Sequence, residues 1–124
     1  MDYRKEMRAL RPVNLKLGNL RRHAVTEIRS VGKDLIVQFD PVGQGDNGFC
    51  LVLEQVIELV DRGTVSKPLT AGIVWKPVAE FGRAAASSFA IDQDELIEFR
   101  LDYESDGVLV CLFQAVAANA RIAE

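Results

Sequence analysis

The sequence predicts an α+β domain: an antiparallel sheet built from two β-hairpins plus one or two further strands, packed by two main helices and a short N-terminal helix. Three observations lead there. Two stretches of alternating apolar residues flank turn signals at Gly32-Lys33 and Asp106-Gly107. Two stretches between them carry apolar residues at helical spacing. No internal repeat or linker divides the 124 residues, so residues 1–124 read as a single domain of ordinary size.

Taken in order, Tyr3, Met7 and Leu10 form the stripe of a short helix, which Pro12 is expected to end because its ring biases Arg11 away from helical geometry. Val13 to Leu20 reads as a strand interrupted by Gly18 and Asn19. Residues 24–31 and 34–40 form a hairpin, with glycine at the first central position of a type II′ turn. Counting outward from the turn pairs Ser30 with Leu35, Ile28 with Val37 and Thr26 with Phe39 on the more apolar face. Arg29 with Ile36 and Glu27 with Gln38 occupy the other.

Residues 41–48 form a polar loop in which Asp46 or Asn47 is placed to cap a helix. Phe49, Val52, Leu53, Val56, Leu59 and Val60 line one side of that helix, and Glu54, Glu58, Asp61 and Arg62 the other. Gly63 supplies its C-terminal stop. Thr70 to Trp75 reads as a short buried strand. Pro77 opens a second main helix striped by Val78, Phe81, Ala85 and Phe89.

In the closing hairpin, Ile97, Phe99, Leu101 and Tyr103 alternate with Glu98, Arg100 and Asp102. Counting from a two-residue Asp106-Gly107 turn pairs Tyr103 with Val110, Leu101 with Leu112 and Ile97 with Val116. The opposite face then sets Glu104 against Leu109, Asp102 against Cys111 and Arg100 against Phe113. The returning strand is apolar on both sides in that register, so Leu109, Cys111 and Phe113 require a cover, either a helix or a second subunit. The tail 117–124 is alanine-rich and has no clear pattern.

Composition bounds the chemistry. The chain is 48% hydrophobic and 27% charged, normal for a globular protein. No apolar run approaches the roughly 20 residues of a bilayer span, and the charged N-terminus is not followed by the apolar core of a signal peptide, so a cytoplasmic location is expected. Residues 1–33 hold nine basic groups against three acidic ones, a net +6. The whole chain carries −3, so the remainder carries −9. A basic segment of this kind is able to neutralise phosphates, but no nucleic-acid motif accompanies it, and pairing with the acidic remainder is the better reading.

No metal or cofactor is expected. His23 is the one histidine, and Cys50 and Cys111 stand singly, without zinc-ligand spacing. Residues 43–48 match GxGxxG by letter, but the preceding strand belongs to a tight hairpin, not to a parallel βαβ unit. Arg4 and Arg8 have the RxxxR spacing of PilZ domains, yet the companion D/N-x-S-x-x-G element is missing, so no family is assigned. Glu98, Asp102 and His23 are the available acid–base groups, and nothing selects a reaction for them.

The sequence therefore predicts a small non-enzymatic binding or interaction protein, homodimeric through Leu109, Cys111 and Phe113. The alternative is a small-molecule domain with a pocket between sheet and helices, lined by Trp75, Phe81, Phe89, Glu98 and Tyr103. An aromatic wall with one carboxylate would select cationic or amphipathic ligands.

Overall fold

The computed structural model describes residues 8, 10–42, 48–62, 67, 69–75, 96–103, 108–114 and 120–123. It corrects the α+β expectation: the described chain is mainly β, with one short helix and two four-stranded antiparallel sheets. The helix, α1, is Arg11–Leu17, and the strands are β1 His23–Val31, β2 Asp34–Pro41, β3 Phe49–Leu53, β4 Val56–Arg62, β5 Leu69–Trp75, β6 Leu96–Tyr103, β7 Val108–Gln114 and β8 Ala120–Ala123. The first sheet runs β1-β2-β3-β8 and the second β4-β7-β6-β5.

Pro12 stands in the first turn of α1, and Arg8 ahead of it is also helical, though most of the expected N-terminal helix lies outside the described residues. Proline lacks an N–H that the first turn would leave unbonded anyway, and its fixed φ suits that turn. Val13 and Leu17, one turn apart, are both buried, which is why the stretch expected as a strand is helical. The expected stripe Tyr3, Met7 and Leu10 lies mostly outside the described residues; Leu10 is buried just ahead of α1.

The β1–β2 hairpin folds as its turn predicts. Gly32 has φ +62 with Val31 opposite Asp34, and Ser30–Leu35, Arg29–Ile36, Ile28–Val37 and Glu27–Gln38 are in register. The expected Thr26–Phe39 pair is displaced: a bulge at Thr26 puts Val25 opposite Phe39.

The expected helix over 49–62 is instead two strands. Phe49, Leu51 and Leu53 alternate into the core, and the chain turns at Gln55, which has φ 56. That corner is pinned to the first hairpin, since Val56 N–H donates to Lys33 C=O at 2.8 Å and Gln55 N–H to Asp34 Oδ1 at 3.4 Å. It carries the chain from the first sheet to the second. The expected helix from Pro77, with Phe81 and Phe89, lies outside the described residues.

The β6–β7 register is shifted by three residues from the expected one. Leu101 faces Leu109, Phe99 faces Cys111 and Ile97 faces Phe113. A shift by an odd number exchanges the faces of a strand. Leu109, Cys111 and Phe113 thus stand opposite residues that are themselves in the core, not opposite Asp102 and Arg100. The alanine-rich tail supplies β8, which pairs with β3.

Val25, Leu35, Val37, Phe39, Phe49, Leu51 and Leu53 of the first sheet meet Leu69, Val74, Ile97, Phe99 and Leu101 of the second, with Val13 and Leu17 of α1, in one core. Phe39 and Phe49 stack at 5.0 Å between centroids. Among the described residues no helix is long and apolar enough to cross a membrane.

Candidate functional site

The site forms where α1 meets β5. β5 is an edge of the second sheet, and an edge strand presents unpaired backbone groups at alternate residues. Here they are taken up by the segment around α1. The Asn14 side chain donates from Nδ2 to Val74 C=O at 2.9 Å and accepts from Val74 N–H at Oδ1 at 2.8 Å, imitating one rung of a strand. Leu20 N–H donates to Thr70 C=O at 3.0 Å. Between these anchors lies Gly72, where an added Cβ would stand 2.8 Å from Leu101 Cδ2 and 3.5 Å from Leu20 Cδ1. The absent side chain makes room for Leu101 of the neighbouring strand, while Leu20 would be in ordinary contact with an added Cβ.

With α1 held this way, Val13 and Leu17 point inward, leaving Arg11, Leu15 and Lys16 exposed. Arg8, Arg11 and Asn14 then border an open cleft of about 340 Å³ together with Trp75, the last residue of β5. That volume lies at the lower end of the range for small-ligand sites. Trp75 remains 41% exposed, a large apolar ring kept at the surface. The cleft's surface is mostly apolar, with the Trp75 indole on it and two arginines at its border, so it suits a flat apolar body. Both amide heads of Asn14 are engaged by Val74, so Asn14 shapes the cleft by holding the strand.

The residues expected to line a pocket separate into three groups. Trp75 and Glu98 are brought together as direct cross-strand partners. Glu98, however, is only 2% exposed, and its Oε1 lies 3.4 Å from an Arg100 guanidinium nitrogen. Tyr103 sits opposite Leu69 at the far end of the same ladder, packed against the core. Five rungs of roughly 3.4 Å separate it from Trp75. Phe81 and Phe89 lie outside the described residues.

The remaining acid–base candidates do not converge among the described residues. His23 is in the first sheet, its ring 5.9 Å from Phe49 and its Nδ1 3.4 Å from Arg21 C=O. Asp102 is exposed on β6. The Cys50 thiol is free and donates to Gln38 Oε1, within a chain in which Gln38 Nε2 donates to Asp40 Oδ1 at 3.0 Å and Thr26 Oγ1 to Asp40 Oδ2 at 2.5 Å. No group of three or more His, Cys, Asp or Glu side chains among the described residues is placed to hold a metal ion. The GxGxxG letters fall between β2 and β3, which pair as antiparallel neighbours, so the parallel unit that such a loop serves is absent there.

Sequence reasoning missed Arg8, Arg11 and Asn14. The signal lies in Arg11 and Asn14, whose three-residue spacing puts them along one side of α1, with Arg8 ahead of that helix. It became readable only once Pro12 was seen to stand in the first turn of a helix.

The fold and the cleft define a two-sheet antiparallel domain with a solvent-open, mostly apolar recess at one sheet edge, bordered by Trp75 and two arginines. Comparison with protein-family models, curated proteins and solved structures found no match.

Proposed function

We propose that the protein is a small binding domain whose ligand enters the α1–β5 cleft and carries an anionic group on a flat apolar body. One observation supports this most: Arg8 and Arg11 border the same apolar recess as a half-exposed Trp75, within reach of an anionic group at its mouth. A guanidinium offers a planar set of donors to a carboxylate or phosphate, and the indole face takes the apolar part. This reverses the sign of the ligand expected from sequence. The reversal follows from geometry, since the Glu98 carboxylate is buried beside Arg100 while the cleft's accessible charges are positive.

Trp75 is the only tryptophan in the chain, so intrinsic fluorescence reports directly from the cleft. The test titrates naphthoate against the ammonium analogue of the same ring. The expected result is a saturable emission change with the carboxylate, abolished in R8A/R11A, and none with the ammonium compound. Equal responses to both, or none to either, would overturn the proposal.

A further inference from the structure

Strand β1 is an edge of the first sheet, with β2 as its hydrogen-bonded neighbour among the described strands. Unlike β5, it has no side chain or loop laid along it among the described residues. Thr26, Glu27, Arg29, Ser30 and Val31 are all exposed, and Ile28 is half-buried at the margin of the core. In an antiparallel ladder alternate residues bond to the neighbour. Val31 and Asp34 close the two-residue turn, so Val31, Arg29 and Glu27 turn their backbone groups to β2. Ile28 and Ser30 turn theirs to the open edge.

We propose that this edge pairs with β1 of a second copy, antiparallel, about a two-fold axis through Ile28. That axis puts each outward-facing Ile28 backbone opposite its own copy, which is the hydrogen-bonded type of pair. It also sets Glu27 of each copy directly across from Arg29 of the other, two symmetric opposite-charge pairs on the solvent face. The two Ile28 side chains meet on the core side and extend its margin. Neither Glu27 nor Arg29 shares an ion pair within the described chain, so both charges are available. The bulge at Thr26 bends the strand beyond this stretch, which keeps the ladder short and the association reversible.

The inference is independent of the cleft and is tested without ligand. Sedimentation velocity over micromolar to millimolar protein should show a reversible monomer–dimer equilibrium. E27R and R29E each place like charges across the axis and should raise the dissociation constant about tenfold. The double variant E27R/R29E restores opposite charges and should return it close to the parent value. Circular dichroism at low concentration checks that each variant keeps the monomer fold. A single-copy mass at every concentration overturns the proposal and leaves the edge to a strand of some other protein. So does a dimer that both single variants leave unchanged, or one that the double variant fails to restore.

Discussion

Replacing Asn14 by alanine is expected to loosen α1 from β5 and to destabilise the whole fold. The side chain makes two hydrogen bonds of 2.8 and 2.9 Å to one residue of an edge strand, both in a half-buried seam. Each bond contributes about 1 kcal/mol net, and a backbone group left unsatisfied away from water costs about 1–3 kcal/mol. Val74 is fully buried, so its N–H and C=O gain little from solvent when the amide is removed. About 3 kcal/mol is the expected loss, near 10 °C in Tm for a chain of this size. A seven-residue helix does not persist alone in water, so α1 depends on this anchor together with Val13 and Leu17. The assay is urea unfolding combined with amide hydrogen exchange at Val74. Asn14→Asp provides the control: it keeps the acceptor for Val74 N–H but turns an oxygen toward Val74 C=O. A loss below about 0.5 kcal/mol for Asn14→Ala, the size of an ordinary surface substitution, with unchanged exchange at Val74, would refute the account of the seam.

Three further outcomes follow from the same geometry. Gly48→Ala brings a Cβ to 2.6 Å from the Phe39 carbonyl oxygen and against Asp40, where backbone has to yield; a loss of about 1–3 kcal/mol is expected in denaturant unfolding. Gly32→Ala meets nothing within 4 Å, but φ +62 is strained for any other residue, so a smaller loss of about 1 kcal/mol should appear in the same measurement, without a change in the slope of the transition. Phe99→Ala empties a fully buried position where both sheets meet and should cost about 3–5 kcal/mol, read as an early thermal transition.

Local chemistry alone was enough for several elements. Gly32-Lys33 specifies a two-residue turn, and that turn dictates the register of four β1–β2 pairs before any contact between sheets exists. Thr70 to Trp75 is rich in residues that suit strands and is one. Trp75 was expected from sequence in the aromatic lining of a pocket, and it borders the α1–β5 cleft. Its cleft partners were not expected, because they lie some sixty residues earlier and no local pattern links Asn14 to Val74.

What sequence by itself determined here is the turn at Gly32-Lys33, the pairing and apolar face of the hairpin β1–β2 around it, and the strand nature of β5 and β6. What only the tertiary structure decided is the state of 49–62 and the register of β7. Phe49 to Val60 fits a helical stripe and a strand alternation alike, and a short apolar run does not distinguish them. Pairing of β3 with β2 and of β4 with β7 resolves it, because those neighbours satisfy the backbone while Leu51 and Leu53 are buried. The closing hairpin shows the same rule. A presumed two-residue turn sets Leu101 opposite Leu112, whereas the structure sets it opposite Leu109; β7, VLVCLFQ, is apolar at all but its last position, so its own sequence fits either register. What fixes the register is pairing on both edges of β7, with β6 on one side and β4 on the other, and β4 is a neighbour distant in the chain.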